Sequence, residues 1–313
     1  MVRRALLFGA LVGCSPGAPT GGGLGDPCTL QEPCGAGTVC DYSSVQPTCL
    51  DETADPDGDG IPNKMDHCPT VTGGLYDEDG DGIGDDCDRC PIAKPPAVPD
   101  QDGDDVDSPC DPDPKTAGDK ILLFDGFSGA TLDPRWTAVT PSAWSVEGGE
   151  LVVRLATQDT QDFISTSVIP EPNLAVQSSY RVDKVEASAT THIVSSLAID
   201  QRPAGVSSFE CGVVKSDVGT AGEVVDLETD QSAVSHAAMI GAFDSARLYR
   251  NAMVMTGNTA ECVVIGDNTS LAAVQSTLTP DALGTIKLTA RAVTARFQWV
   301  LVVGRSNTGT GGS

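Results

Sequence analysis

The chain has 313 residues, of which 44 are Asp or Glu and 19 are Lys or Arg, so its formal net charge is -25. Such a surface repels nucleic-acid phosphates and anionic lipid headgroups, which excludes nucleic acid as a partner and favours cations. The acidic residues are concentrated, because residues 51–119 contain 21 Asp or Glu against four Lys or Arg, whereas residues 120–313 contain 20 against 13. The two parts are therefore expected to have different structures.

The first residues have the pattern of an export signal. Two arginines precede the apolar run Ala5 to Val12, which is too short to span a bilayer. The run ends in Leu11-Val12-Gly13-Cys14, which resembles the bacterial lipobox, where the chain is cut before the Cys and that Cys is acylated. The resemblance implies a signal peptide over 1–13, an outer-membrane lipid anchor at Cys14, on the cell surface or the periplasmic face, and a flexible tether over 14–25. The alternative is an ordinary signal peptide with an incidental Cys.

The cysteines favour an oxidising compartment. Eleven are present, and ten remain once Cys14 is set aside as a lipid carrier. The ten form three even groups, which predicts disulfides in an exported protein. No group contains the two close C-x₂-C pairs of a zinc site, so zinc is not expected. The groups are Cys28, Cys34, Cys40 and Cys49; Cys68, Cys87, Cys90 and Cys110; and Cys211 with Cys262.

Residues 26–50 are expected to be a small Cys-rich module. Its turn-forming Gly and Pro residues and its four cysteines are typical of a loop-rich fold held by disulfides. Three pairings of four cysteines are possible, and the sequence does not choose among them. A structural spacer is the favoured interpretation, with a binding role as the alternative.

Residues 51–118 contain three loops with the oxygen-ligand spacing of a calcium site. Oxygen-bearing side chains stand at positions 1, 3, 5, 9 and 12 of each loop, and a backbone carbonyl at position 7 completes the ligand set that calcium prefers. Glycine at position 6 of the first two loops allows the sharp turn. Calcium is therefore the predicted cofactor. The predicted ligands are Asp55, Asp57, Asp59, Ile61, Asn63 and Asp66; Asp77, Asp79, Asp81, Ile83, Asp85 and Asp88; and Asp100, Asp102, Asp104, Val106, Ser108 and Asp111.

The third loop departs from this pattern at two positions. Asp105 replaces the position-6 glycine and Ser108 replaces the position-9 carboxylate or amide. Asp tolerates a left-handed backbone better than most residues, and Ser can act through water, so binding is expected to survive. The third site is predicted to be the weakest.

The proline content argues against an EF-hand, because helices cannot flank these loops through Pro62, Pro69 and Pro91. The segment instead resembles the thrombospondin type 3 array, in its Asp55-Pro-Asp-Gly-Asp-Gly-Ile-Pro motif and in the Asp-x-Cys-Pro junctions at Cys68 and Cys90. That resemblance implies residues wrapped around calcium without regular secondary structure, and consecutive disulfides Cys68–Cys87 and Cys90–Cys110. The segment buries too little apolar surface to fold alone, so folding is expected to require calcium. The alternative is a disordered acidic linker.

Residues 119–310 are predicted to form a mainly β, two-sheet sandwich that folds without calcium. Short alternating or β-branched runs are separated by Gly, Pro, Asp and Asn turns, which is typical of such sandwiches. The predicted strands include 150–155, 180–185, 192–194, 209–214 and 296–303, and Ser235 to Ile240 are compatible with a helical turn. The segment from Phe124 to Trp136, followed by Trp144 to Leu151, resembles the first strands of laminin-G and concanavalin-like jelly rolls. A Cys211–Cys262 disulfide could cross the sandwich.

Two functions remain from the sequence. The favoured one is a lipid-anchored, non-enzymatic protein whose calcium-loaded stalk presents the sandwich to a surface ligand, carbohydrate or protein. The alternative is a surface carbohydrate-active hydrolase, since some jelly rolls are glycosidases with paired carboxylates. Its best candidates are Asp226, Glu228 and Asp230, but their D-x-E-x-D order departs from the E-x-D-x-E or E-x-D-x-x-E of the related hydrolases. A solvated strand face explains them equally well, so no catalytic residue is assigned.

Overall fold

A computed structural model describes residues 21–306, except 30, 45, 95–99, 156, 158–159, 187, 190, 201–207, 217–221, 230–233, 242–246, 257–258, 268 and 278–282. The predicted signal peptide and Cys14 lie outside the described residues. Within the described ranges, no helix is long and apolar enough to cross a membrane. The chain divides into two compact units, the first comprising the residues up to Leu75 together with Gly82–Cys87, and the second comprising Tyr76–Asp81 and the residues from Asp88 onwards.

The first unit contains little regular structure. A hairpin of strands β1 (Thr38–Asp41) and β2 (Thr48–Asp51) is followed by one 3₁₀ turn, Asn63–Met65. Its disulfides are Cys28–Cys40, Cys34–Cys49 and Cys68–Cys87. Among the described residues of this unit, the buried apolar side chains are three half-cystines, Cys28, Cys49 and Cys68, and Pro69. Crosslinks therefore occupy the place that a hydrophobic core holds in a larger domain.

The second unit begins with irregular loops, and from Lys120 onwards its described residues are mainly strands, with a short 3₁₀ turn at Pro141–Ala143. The strands are β3 (Lys120–Asp125), β4 (Thr137–Ala138), β5 (Trp144–Val146), β6 (Leu151–Arg154), β7 (Gln161–Glu171), β8 (Asn173–Val185), β9 (Thr191–Asp200), β10 (Ser208–Ser216), β11 (Gly222–Thr229), β12 (Val234–Gly241), β13 (Tyr249–Thr256), β14 (Thr259–Gly266), β15 (Thr269–Thr277), β16 (Leu283–Arg291) and β17 (Val293–Arg305).

These strands form two antiparallel sheets. The seven-stranded sheet has the order β12-β11-β10-β9-β16-β7-β4, and the eight-stranded sheet has the order β15-β14-β13-β8-β17-β6-β5, with β3 also paired to β17. The long strand β17 pairs along one edge with β8 and along the other with β6 and then β3. The prediction of a mainly β, two-sheet sandwich is confirmed, and its antiparallel order is consistent with a jelly roll.

The core of the sandwich lies between the two sheets. Strands β13 and β14 alternate buried and half-buried residues, as expected when one face is covered. Tyr180 and Tyr249 are stacked in this core with ring centroids 5.7 Å apart. The disulfide Cys211–Cys262 joins β10 of one sheet to β14 of the other, across the sandwich. Burial between the sheets and one crosslink therefore hold the layers together.

The C-terminal half of β17 is covered on both faces, because every residue from Trp299 to Gly304 is buried. One face belongs to the core. The other packs against the segment that carries the third loop, in a separate apolar cluster with Val106 and the Cys90–Cys110 disulfide. The third loop therefore belongs to the same packed body as the sandwich.

The helical turn expected over Ser235 to Ile240 is wrong. These residues belong to strand β12, which pairs antiparallel with β11. A short apolar run has no periodicity that distinguishes a helix from a strand, and here pairing with the neighbouring strand β11 favours the extended conformation.

Candidate metal centres

The first loop brings three carboxylates to one point. Asp55, Asp57 and Asp59 each offer an oxygen, and these oxygens lie within 4.8 Å of one another. The local backbone produces this arrangement, because Asp55 accepts hydrogen bonds from the amides of Gly58 (2.9 Å) and Gly60 (3.1 Å). Gly58 and Gly60 have φ of 76° and 92°, a conformation that glycine adopts without steric cost. The loop therefore closes around the carboxylates.

Three buried oxygens of this loop have no hydrogen-bond partner. They are Asp57 Oδ2, Asn63 Oδ1 and Asp66 Oδ2. Asn63 and Asp66 are only 2% and 7% exposed, so water does not solvate them freely. Buried polar atoms are nearly always satisfied, and an unsatisfied acceptor costs stability. A cation bound among these oxygens would satisfy all three.

The second loop repeats the arrangement. Oxygens of Asp77, Asp79 and Asp81 lie within 4.8 Å of one another. Asp77 accepts from the amides of Gly80 (2.8 Å) and Asp81 (3.1 Å), and Asp79 Oδ2 is buried without a partner. Asp88, predicted at position 12, belongs with them to the second unit, whereas Asp85 belongs to the first.

The third loop also closes in spite of its altered residues. Oxygens of Asp100, Asp102 and Asp104 lie within 4.8 Å of one another, and both carboxylate oxygens of Asp102 are buried without a partner. Asp105 adopts a φ of 74°, the left-handed conformation that Gly60 and Gly82 have at the same position. Its amide donates to Asp100 Oδ2 at 3.0 Å. Ser108 accepts a hydrogen bond from Gln101 Nε2 at 3.1 Å.

The three loops share a further detail at position 12. The Oδ1 atoms of Asp66, Asp88 and Asp111 each accept a hydrogen bond from the amide two residues later, at 2.7–2.8 Å. This bond leaves Oδ2 available, and in Asp66 and Asp111 that atom is buried without a partner. The three loops are therefore alike in the geometry of their position-12 aspartates as well as in the spacing of their acidic residues.

Three carboxyl groups of the second and third loops have strongly raised pKa values. Burial, reinforced by the charges of Asp81 and Asp77, raises the pKa of Asp79 to about 6. Burial also raises the pKa of Asp88 to about 7, with Asp81 and Asp79 adding to the effect. The pKa of Asp111 rises to about 6 for the same reasons. Carboxylates that burial and mutual repulsion disfavour in this way are stabilised by a bound cation.

The donor set fits calcium. Every candidate ligand atom in the three aspartate clusters is a carboxylate oxygen, the hard ligand type that calcium prefers. Several of these oxygens have no hydrogen-bond donor within reach in the protein. The sulfur cluster of Cys28, Cys34 and Cys40 is different, because these residues are consumed in disulfides and offer no thiolate. The position-7 ligands Ile61, Ile83 and Val106 stay predictions, as do Asp85 and Ser108.

Sequence reasoning missed three residues next to the third loop. Asp119 is 2% exposed and its amide donates to Asp104 Oδ2 at 2.7 Å. Arg305, at the end of β17, forms ion pairs with Asp119 Oδ2 (3.3 Å) and Asp113 Oδ2 (3.0 Å). Asp113 and Asp119 fall outside the twelve-residue spacing, and Arg305 is nearly 200 residues away in the sequence, so no local pattern connects them.

Two of the candidate catalytic carboxylates, Asp226 and Glu228, belong to β11 of the seven-stranded sheet. Only the backbone of β11 is described, and Asp230 lies outside the described residues. The register pairs Glu228 with Glu210 of β10, and Asp226 with Gly212. Glu210 accepts a hydrogen bond from Ser195, and Lys287 of the same sheet lies 3.8 Å from the ring centre of Phe163. Sequence reasoning did not identify Glu210, because its pairing with Glu228 depends on the register.

No family model and no curated protein matches the chain. Solved structures with a similar chain path include porphyranase B from Zobellia galactanivorans (8% identity, 60% of this chain, 94% of that chain, TM-score 0.43), the Bacillus licheniformis β-glucanase (12%, 60%, 98%, 0.43) and the Emp47p carbohydrate recognition domain (12%, 60%, 97%, 0.46). These TM-scores are all below 0.5, so the function of the chain is argued from its own residues.

Proposed function

We propose that the chain is a calcium-binding, lipid-anchored extracytoplasmic protein in which thrombospondin type 3 repeats form a calcium-loaded stalk for a ligand-binding β-sandwich. The observation that carries the proposal is the repeated loop geometry. Each loop gathers three aspartate oxygens within 4.8 Å and leaves at least one buried carboxylate oxygen without a hydrogen-bond partner. Calcium would supply the missing positive charge and join the oxygens.

Calorimetric titration of the intact protein with calcium tests this proposal. Asp57→Asn, Asp79→Asn and Asp102→Asn each change the position-3 carboxylate of one loop, and each should weaken or remove one binding phase. Glu32→Gln, which changes an exposed carboxylate of the Cys-rich module, is the matched control and should leave the titration unchanged. Calcium binding that none of the three loop variants alters would contradict the assignment.

The lipid anchor at Cys14 is proposed from the lipobox resemblance and from the cysteine count. The ten other cysteines are all paired in five disulfides, which leaves Cys14 without a disulfide partner in the chain. Changing Cys14 to Ser should release the protein from membranes into the soluble fraction. If that variant partitions into detergent as the native protein does, the anchor is elsewhere.

The ligand of the sandwich is proposed to be a carbohydrate or a protein on a surface. Glycan-array binding of the Cys14→Ser protein, in calcium and in chelator, tests whether the ligand is a carbohydrate. Binding to a defined glycan class supports this role. If the array gives no signal and the protein instead binds proteins extracted from a cell surface, the ligand is a protein.

The second candidate function is hydrolysis of a polysaccharide. The observation that favours it is the register, which pairs Glu228 with Glu210 on adjacent strands. Residues that face each other on neighbouring strands are about 5 Å apart at Cβ, and a retaining glycosidase needs its two carboxyl groups about 5 to 5.5 Å apart. A reducing-end assay on a polysaccharide panel, repeated with Glu210→Gln and Glu228→Gln, tests it. Activity that both variants abolish would replace the binding role with an enzymatic one.

A further inference from the structure

The segment that carries the third loop covers the outer face of the eight-stranded sheet. From this segment, Val106 and the half-cystines Cys90 and Cys110 are 0–2% exposed. They pack in one cluster against Ala175 of β8 and against Trp299, Leu301 and Val303 of β17. Ile92 and Ala93 extend the contact as partly buried neighbours. The sheet would expose these apolar side chains if the segment detached.

A polar clamp fixes the same segment to the end of β17. Arg305 Nη1 donates to the carbonyl oxygen of Thr116 at 2.6 Å and is 3.3 Å from Asp119 Oδ2, while Arg305 Nη2 is 3.0 Å from Asp113 Oδ2. The side chain of Arg305 is only 12% exposed, so the clamp is shielded from water. Removing one partner of a pair with such shielding is strongly destabilising, because it leaves a buried charge uncompensated.

The clamp connects directly to the candidate metal ligands. The amides of Gly118 and Asp119 both donate to Asp104 Oδ2, at 2.9 and 2.7 Å. Asp104 is one of the three aspartates that converge in the third loop. A short path of hydrogen bonds and ion pairs therefore runs from Asp104 through Asp119 to Arg305 and strand β17.

The carboxyl groups around the third loop outnumber the basic side chains that pair with them. Asp100, Asp102, Asp104, Asp111, Asp113 and Asp119 approach one another around the loop, and Arg305 and Arg89 are the basic side chains that pair with members of this group among the described residues. Repulsion among the remaining carboxylates pushes the loop open and pulls on the apolar contact with the sheet. A divalent ion in the loop would oppose this force.

We infer that the ion of the third loop is a structural cofactor of the β-sandwich, which couples calcium binding to the stability of the eight-stranded sheet through Val106 packing and the Asp119–Arg305 clamp. The inference rests on the proposed calcium binding. It differs from the expectation that the sandwich folds without calcium. The first loop belongs to the other compact unit, so its ion stabilises that unit and not the sandwich.

Thermal unfolding of the intact protein, followed by tryptophan fluorescence, tests the coupling. All three tryptophans, Trp136, Trp144 and Trp299, belong to the second unit, so the signal reports on the sandwich. At free calcium about 100-fold above the Kd of the third site, the melting temperature should rise by about 5 to 10 °C over that in chelator. Trp299, now 8% exposed, should become more accessible to acrylamide when calcium is removed.

A matched pair of variants assigns the effect to one loop. Asp102→Asn and Asp57→Asn change the same position in the third and first loops. Asp102→Asn should abolish most of the calcium-dependent shift, and Asp57→Asn should preserve it. An equal shift in both variants, or a sandwich that melts at the same temperature with and without calcium while calorimetry still detects the third site, would overturn the coupling and leave the proposed function intact. Absence of calcium binding in calorimetry would overturn both.

Arg305 acts as a positioning residue, and its variants test the route of the coupling. Arg305→Gln should weaken calcium binding at the third site and reduce the melting shift, whereas Arg305→Lys should restore part of both. Arg154→Gln removes an exposed ion pair with Glu147 on the same domain and is the control. If Arg305→Gln lowers the melting temperature equally in calcium and in chelator, Arg305 contributes only to the fold and the clamp is not the route.

Discussion

The first unit and the sandwich differ in what holds them together. The sandwich buries large side chains such as Tyr180, Tyr249 and Phe297 between two sheets, whereas the buried apolar side chains among the described residues of the first unit are three half-cystines and Pro69. Where apolar residues are scarce, crosslinks and, under the proposed function, bound calcium offset the entropy of ordering the chain. The third loop has features of both regions. Its carboxylates converge as in the first loop, and its Val106 packs against a sheet as a core residue does.

The largest loss of stability should come from a substitution in the sandwich core. Phe297→Ala removes a side chain that is 0% exposed and is in ring contact with Tyr180 and Trp144, so it should lower the free energy of unfolding by about 3–5 kcal/mol. Urea unfolding followed by tryptophan fluorescence measures it. Val139→Ala, at a 59% exposed position, is the control and should change stability by less than about 0.5 kcal/mol. Similar effects of the two substitutions would mean that this core does not hold the sandwich.

Disulfide removal should affect the two regions differently. The 51-residue separation of Cys211–Cys262 predicts a loss of about 4 kcal/mol from the sandwich, and the 19-residue separation of Cys68–Cys87 predicts about 3 kcal/mol. The sandwich keeps its apolar core, so the Cys211→Ala, Cys262→Ala protein should melt at a lower temperature but still bind calcium. The Cys68→Ala, Cys87→Ala protein should lose calcium affinity, measured by calorimetry. Unchanged calcium affinity in the second variant would show that the loops do not depend on crosslinks.

The calcium affinity of the second loop should depend on pH. The pKa values of Asp79 and Asp88 are raised to about 6 and about 7, so without calcium these groups stabilise the folded loop below pH 4, and this contribution is lost as the pH rises through 6 to 7. Calcium must displace these protons, so its affinity at the second loop should fall as the pH is lowered from 7.5 to 5, by roughly tenfold per pH unit for each displaced proton. Calorimetric titrations at several pH values, with Asp79→Asn as the reference, measure this. A pH-independent affinity would contradict the burial of these carboxylates.

The smallest effect should come from repairing the third loop. Asp105 holds a φ of 74° and Ser108 replaces the position-9 carboxylate or amide, so Asp105→Gly with Ser108→Asp relieves strain and adds a ligand. Loss of the Asp105–Arg89 ion pair matters little, because Asp105 is 76% exposed. Calcium affinity at the third site should rise by about two- to tenfold, measured as the weakest phase of the titration. An unchanged weakest phase would show that these residues do not limit the site.

Much of the fold could be predicted from local patterns. The alternating or β-branched runs at 150–155, 209–214 and 296–303 coincide with β6, β10 and β17, because a pleated strand with one buried face imposes that period. The convergence of Asp55, Asp57 and Asp59 also follows from spacing alone, since a tight loop turns alternate side chains inwards. These features depend on residues close together in the chain.

The missed features depend on residues far apart. The apolar run from Trp299 to Val303 predicted a strand, but nothing in the run indicated that Val106 would cover its second face. The clamp between Arg305 and Asp119 and the pairing of Glu210 with Glu228 required the tertiary fold and the sheet register. Single-sequence patterns contain no information on such pairings.

Hydrogen exchange of the intact protein in millimolar calcium and in chelator tests the central claim most directly, namely that calcium holds the repeats and, through the third loop, one face of the sandwich. Chelator should remove protection from the amides of Gly60 and Gly118, which donate to loop carboxylates, and from β17 between residues 299 and 304. Strands β7 and β16 of the opposite sheet should retain their protection. Equal protection of the loops in both conditions would contradict the account.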